Sequence, residues 1–135
     1  MKYQPDNYSC GIYSIINALE AFGDKKSPIE VKYLTDTNKN GTSEKGILTA
    51  LKEFGYKPVE YKTTNPNNAW KWVLNNSINY PLILIVDEWE HWIVVAGRIK
   101  NRIIYLDSKE GCFIYDKKSL LDKWSYKGYY GIKIK

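Results

Sequence analysis

The second half of the chain contains three apolar segments separated by short polar connections. They span residues 82–86, 91–97 and 102–107. Segments of this length, rich in isoleucine and valine and bounded by turn residues, are typical of β-strands. The short connections favour hairpins, so the sequence predicts an antiparallel sheet. Later segments at residues 112–115 and 129–134 are predicted to add two strands to it.

The first half of the chain has helical signals instead. Apolar residues recur at helical spacing after Cys10, and Gly23 stands where a helix C-terminal glycine is expected. Ser27 is a predicted cap for a second helix that ends near Leu34. Thr42 is the predicted cap of a third helix.

Shorter elements complete the expected architecture. A strand is predicted at residues 58–61, and helical pieces at residues 69–74 and 119–124. The whole pattern predicts an α+β fold in which N-terminal helices pack on a C-terminal antiparallel sheet. With 135 residues, 44% of them hydrophobic, the chain is expected to form one domain over residues 1–135.

Cys10 is a candidate nucleophile because it opens the first predicted helix. The N–H groups and the dipole at a helix start stabilise a thiolate. Gln4 lies six residues upstream, and its side-chain amide can donate to an oxyanion. Taken singly, Cys10 fits a buried structural cysteine, which is what most free cysteines are, and Gln4 fits a solvated polar residue.

His91 is the only histidine and heads the second predicted strand. If residues 98–100 form the hairpin connection, Gly97 faces Asn101 and His91 faces Asp107. Opposed residues of an antiparallel pair have Cβ atoms roughly 4.5–5.5 Å apart, so the carboxylate could orient the imidazole. The alternative for Asp107 is an ordinary turn aspartate at a strand end.

These residues resemble the papain-like cysteine peptidases of the bacteriocin-processing type, which cleave double-glycine leader peptides. The resemblance covers nearly the whole chain. It is carried by Gln4 with Cys10-Gly11, by Gly41-Thr42-Ser43, by Leu51 with Phe54-Gly55, and by His91-Trp92-Ile93-Val94-Val95 with Asp107. Ser9 and Ser108 differ from the family pattern, in which an acidic residue and a proline are usual.

The resemblance implies a papain-like fold and a role for each matching residue. Cys10 would be the nucleophile, His91 the general base, Asp107 its orienting partner and Gln4 an oxyanion-hole donor. Trp89, next to the histidine segment, is predicted to face a substrate cleft, whereas strand alternation gives Trp92 a packing role. The expected partner is a peptide or protein substrate.

Three functional classes follow from this set of residues. The leading hypothesis is a thiol peptidase that forms and hydrolyses a thioester. A deamidase or acyltransferase would use the same thioester chemistry with a different acceptor. A catalytically silent peptide-binding module would keep the cleft but not the reaction.

Composition excludes several other classes of protein. The net charge of +5 is modest, and the basic residues form no nucleic-acid-binding motif. No apolar stretch is long enough for a membrane segment and no signal-peptide pattern is present, so a cytoplasmic protein is expected.

The cysteines and the single histidine bear on redox state and cofactors. The two cysteines, Cys10 and Cys112, are expected to be free thiols in a reducing compartment, because pairing them would block the nucleophile. With one histidine and no CxxC motif, the sequence predicts no zinc site and no cofactor. It does not predict an oligomeric state.

Overall fold

The computed structural model describes residues 1–124 and 128–135. Within these residues the chain forms five helices and six strands. The helices are α1 Cys10–Glu20, α2 Pro28–Thr35, α3 Glu44–Glu53, α4 Pro66–Asn76 and α5 Lys117–Trp124. The strands are β1 Pro58–Thr63, β2 Leu82–Val86, β3 His91–Ile99, β4 Arg102–Asp107, β5 Gly111–Tyr115 and β6 Tyr129–Ile134.

All six strands belong to one antiparallel sheet with the order β1-β6-β2-β3-β4-β5. Helices α1, α2 and α3 contribute to the hydrophobic core on one face, together with Ile83, Ile85 and Trp92. Helices α4 and α5 contribute to the core on the other face. This arrangement explains why β2 is buried along its whole length. The predicted α+β fold is confirmed, and the helical pieces predicted at residues 69–74 and 119–124 correspond to α4 and α5 on the second face.

The helix starts follow from local side-chain chemistry. Ser27 accepts a hydrogen bond from Glu30 N and Pro28 occupies the first turn of α2, as the sequence predicts. The predicted Thr42 cap is wrong: Ser43 caps α3 by accepting from Gly46 N. The Thr42 hydroxyl is instead bonded to Thr37 Oγ1 at 2.6 Å.

The predicted register of β3 and β4 is also wrong. Gly97 faces Ile104 and not Asn101, and the pairing shifts between Val95 and Gly97 at a bulge. The hairpin turn has only two residues, since Ile99 pairs with Arg102. Lys100 adopts a left-handed conformation in this turn, with φ of 56°. The shorter turn and the extra residue move β4 along β3 relative to the predicted pairing.

The described helices include none that is long and apolar enough to cross a membrane.

Candidate active site

Cys10 is the first residue of α1, as predicted, and only 5% of its surface is exposed. The helix is anchored beneath it by the fully buried Ile15, Ile16 and Leu19. Trp92 N, in β3, donates a hydrogen bond to Cys10 Sγ at 3.5 Å. The Sγ atom therefore receives a backbone donor from the sheet and lies at the positive end of a helix dipole, where negative charge is stabilised.

His91 lies at the start of β3, between the thiol and a carboxylate. Its Nε2 is 2.8 Å from Asp107 Oδ1, and the Cys10 side chain lies near enough to the imidazole to help raise the pKa of His91. Burial alone would lower the pKa of His91. Hydrogen bonds and negative charges from Asp107 and Cys10 outweigh burial and raise this pKa from 6.5 to about 9. The imidazole therefore holds a proton at neutral pH.

Asp107 ends β4 and is 6% exposed. Besides the imidazole, its Oδ1 accepts from Lys109 N at 2.8 Å and from Glu110 N at 3.2 Å. Burial alone would raise the pKa of Asp107, but these hydrogen bonds and the charge of His91 hold that pKa below its usual range. The carboxylate is thus ionised and fixed in place by backbone donors.

Gln4 is tied to the turn that follows β4. Gln4 N donates to Ser108 O at 2.9 Å, and Ser108 Oγ donates to Gln4 Oε1 at 2.6 Å. At the other end of the amide, Gln4 Nε2 donates to Asp6 O at 2.6 Å. Gln4 lines the same cavity as His91 and Asp107. The structure therefore brings Gln4 to the same site as the other three predicted residues.

Two cavities meet at this site. One is lined by Gln4, His91 and Asp107, with acidic side chains at its rim. The other is lined by Cys10, Gly41, Thr42, Trp89 and Trp92. Glu90 borders both. Cys10 thus lines one of these neighbouring cavities and His91 the other.

Trp89 lines the second cavity, as the sequence predicts for a cleft residue. Its Nε1 donates to Gly128 O at 3.2 Å, and its ring lies 5.8 Å from the ring of Tyr130, centroid to centroid. Trp89 has a left-handed backbone with φ of 66°, as do Asp87 and Glu88 before it. This tight turn directs the indole towards Cys10's side of the cleft.

Three residues that support the site were missed as site residues by the sequence reasoning. Trp92 N contacts Cys10 Sγ, and Trp92 Nε1 donates to Thr42 O at 2.8 Å. Ser108 holds Gln4 through two hydrogen bonds. These contacts join segments far apart in the chain, so the family motifs that contain Thr42 and Trp92, and the departure at Ser108, did not by themselves indicate the contacts. The described residues contain no cluster of three or more histidine, cysteine or carboxylate side chains that could hold a metal ion.

A helix-borne cysteine beside a strand-borne histidine, in an α+β fold, is the arrangement of the papain-like cysteine peptidases. The sequence profile of the Peptidase C39 family matches residues 1–130, and the chain belongs to that family. The family resemblance drawn from the sequence is therefore confirmed, and the protein is a cysteine peptidase. A comparison with curated proteins gave no significant match.

Solved structures share this fold over nearly their full length. The peptidase domain of Streptococcus ComA, a bifunctional ABC transporter involved in quorum sensing, is 24% identical, with a TM-score of 0.79 and coverage of 98% of this chain and 96% of that one. A double-glycine-motif protease from an AMS/PCAT transporter, solved with its leader peptide, is 16% identical, with a TM-score of 0.78 and coverage of 98% and 89%. The Streptococcus mutans ComA peptidase domain is 22% identical, with a TM-score of 0.70 and coverage of 100% and 98%.

Proposed function

We propose that this protein hydrolyses a peptide bond through a thioester formed on Cys10, with His91, Asp107 and Gln4 as the other catalytic residues. The observation that carries this proposal is the 2.8 Å contact between His91 Nε2 and Asp107 Oδ1 beside the Cys10 side chain, which also helps to raise the pKa of His91. A nucleophile, a base and an orienting acid in contact are the requirements of such a mechanism.

The raised pKa of His91, about 9, supports an imidazolium at neutral pH, and its positive charge would favour the thiolate form that the attack on a carbonyl requires. The thiolate attacks the substrate carbonyl carbon and produces a tetrahedral oxyanion. His91 then gives its proton to the leaving nitrogen as the C–N bond breaks, which leaves the acyl group on sulfur. Water, deprotonated by His91, attacks the thioester, and the acid product leaves as sulfur departs as thiolate.

Gln4 and the backbone N–H of Cys10 are the proposed oxyanion donors. The Gln4 amide is held at both ends, by Asp6 and Ser108, so it needs no reorganisation when charge develops. One proton of Nε2 goes to Asp6 O, and the second remains for the substrate oxygen.

The leaving group should occupy the cavity lined by His91, because His91 delivers the proton. The acyl part of the substrate should occupy the cavity lined by Cys10, Trp89 and Trp92. The volume of that cavity, about 330 Å³, is at the lower end of the range for ligand-binding sites, and two indole side chains form part of its wall. Small residues before the cleaved bond fit this space, and the relative solved with a leader peptide supports a peptide substrate that carries a glycine pair.

We propose that residues 1–135 act as one domain, since all six strands form a single sheet and both hydrophobic cores pack against it. Cys10 and Cys112 are both free thiols, which supports a reducing compartment for the working enzyme.

The test is to incubate the purified protein with leader-type peptides that contain a Gly-Gly pair and to identify products by mass spectrometry. Cleavage after the pair should be present in the wild type and in Cys112→Ala, and absent in Cys10→Ala. Cys112→Ala is the matched control because it removes the other, exposed thiol.

Each alternative chemistry has its own product in that experiment. Conversion of a side-chain amide to an acid in an intact peptide would indicate a deamidase. A conjugate with an added amine would indicate an acyltransferase. Retention of the peptide by both wild type and Cys10→Ala, with no product, would leave only a binding module and refute the proposal.

A further inference from the structure

Ser108 directly follows Asp107 and is only 2% exposed, although it is polar. Its hydroxyl donates to Gln4 Oε1 at 2.6 Å, and its carbonyl accepts from Gln4 N at 2.9 Å. One residue therefore fixes both the backbone and the side chain of Gln4. The same residue is covalently joined to the carboxylate that holds His91.

The hydrogen-bond network sets which way the Gln4 amide points. The Asp6 carbonyl can only accept, so the NH2 end of the amide must face it. The oxygen end then faces Ser108, whose hydroxyl is the donor. Because both ends are bonded, rotation of the amide would break two hydrogen bonds at once.

Without the hydroxyl, the amide would be held at one end only. A glutamine side chain has several freely rotating bonds, and ordering it costs conformational entropy. An alanine at position 108 would leave Oε1 without its donor while it preserves the backbone bond from Gln4 N. The amide would then spend part of its time turned away from the cleft or with its oxygen towards the oxyanion, which repels it.

We propose that Ser108 is a positioning residue for the oxyanion donor: its hydroxyl locks the Gln4 amide with an N–H directed to the substrate oxygen. The inference rests on the proposed role of Gln4. It extends that role by making the turn after β4 serve two functions, since Asp107 orients the base and Ser108 orients the oxyanion donor.

A double-mutant cycle tests this inference by steady-state kinetics. Ser108→Ala should lower kcat/KM by roughly 5–30-fold, mainly through kcat, because about one hydrogen bond that acts in the transition state is lost. In the Gln4→Ala background, Ser108→Ala should cause no further loss, because the group that it positions is gone. Equal activity of Ser108→Ala and wild type, or an undiminished effect in the Gln4→Ala background, would overturn the proposal.

Ser77→Ala is the matched control. Ser77 is also buried, at 3% exposure, and its hydroxyl donates to Leu74 O in α4 at 3.5 Å, away from the site. This variant should retain wild-type kcat and KM, and thermal unfolding should show that both serine variants are folded. If Ser77→Ala lowered kcat as much as Ser108→Ala does, the loss would be a general effect of removing a buried hydroxyl, and the proposal would fail.

A spectroscopic readout is independent of any substrate. Gln4 is the only glutamine in the chain, so glutamine-selective ¹⁵N labelling gives a single pair of side-chain amide proton signals in an NMR spectrum. Its protons should exchange slowly with solvent in the wild type and clearly faster in Ser108→Ala. An exchange rate unchanged by Ser108→Ala would refute the positioning role, whether or not a peptide substrate is ever cleaved. Failure of the peptidase proposal is thus distinguishable from failure of this one.

Discussion

Asp107 holds His91 from a diagonal position, not from the position directly opposite. Val94 faces Leu106, so continuing that register by one residue places Asp107 beside Ile93, two residues along from His91. Diagonal neighbours have Cα atoms roughly 7–8 Å apart, a distance that an imidazole and a carboxylate can bridge. The 2.8 Å contact between Nε2 and Oδ1 shows that the two side chains span this distance.

The first prediction concerns the proton on His91. As the only histidine, it gives one imidazole signal in an NMR titration. The midpoint should lie near 9 in the wild type, since the raised pKa of His91 is about 9. Asp107→Asn and Cys10→Ala should each lower the midpoint, because each removes a hydrogen-bond partner and a negative charge. A wild-type midpoint near the ordinary value of 6.5 would contradict the described network.

The second prediction is a pH dependence of stability. The pKa of His91 is raised from 6.5 in the unfolded chain to about 9 in the folded one, so the folded state binds more protons between these values. The stabilisation is therefore complete below pH 6.5 and is lost as the pH rises towards 9. Its size should be on the order of 1–3 kcal/mol.

Urea unfolding of wild type and His91→Gln at several pH values measures this effect. The difference between their free energies of unfolding should shrink as the pH rises from 6.5 to about 9. Contributions from other titrating groups are common to both proteins and cancel in this difference. A difference that stays constant would show that the imidazolium adds nothing to stability.

The helices were predictable because their signals are local. Ser27, Pro28 and Glu30 lie within four positions, and the structure uses them as the sequence indicates. The Thr42 prediction failed because Ser43 is an equally good cap and only the packing distinguishes the two. The Thr42 hydroxyl is hydrogen bonded to that of Thr37, which is in turn bonded to Thr35, so the Thr42 side chain does not cap α3.

The β3–β4 register could not be read from the sequence. The two-residue turn is Lys100-Asn101, not one of the Asn-Gly or Asp-Gly pairs that most strongly signal such a turn, and the bulge near Ala96 depends on pairing with β4. Cys10, His91, Asp107 and Gln4 could nevertheless be predicted as site residues, because the family pattern rests on residue types and order. The roles of Trp92 and Ser108 depend on contacts between distant segments, which no local pattern encodes.

The third prediction concerns Gln4 itself. Gln4→Ala should slow acylation by roughly 10²–10³-fold, the range seen when one oxyanion-hole donor is removed, and should leave folding nearly intact. Gln4→Glu should be at least as damaging, because a carboxylate repels the oxyanion. Single-turnover kinetics with a cleaved peptide would measure both rates, and near-normal acylation in the two variants would exclude this role.

The last prediction distinguishes a role of Trp92 in the active site from the purely structural role of Trp124. Trp92 and Trp124 are both buried, and each donates from Nε1 to a backbone carbonyl, of Thr42 and Tyr130 respectively. Trp92→Phe and Trp124→Phe each remove one such bond and some buried surface, so both should lower the free energy of unfolding by about 1–3 kcal/mol.

Only Trp92→Phe should also reduce kcat/KM, even at a temperature where both variants are fully folded. Trp92 borders the cavity next to Cys10, and its indole is hydrogen bonded to the Thr42 segment, which forms part of the wall of the same cavity. Loss of that bond lets the wall move relative to the thiol, and small displacements of a bound substrate are costly to rate. Chemical unfolding and peptide cleavage assays on the same preparations measure the two quantities. Parallel losses of activity in both variants would mean that Trp92 contributes only to the general stability of the fold.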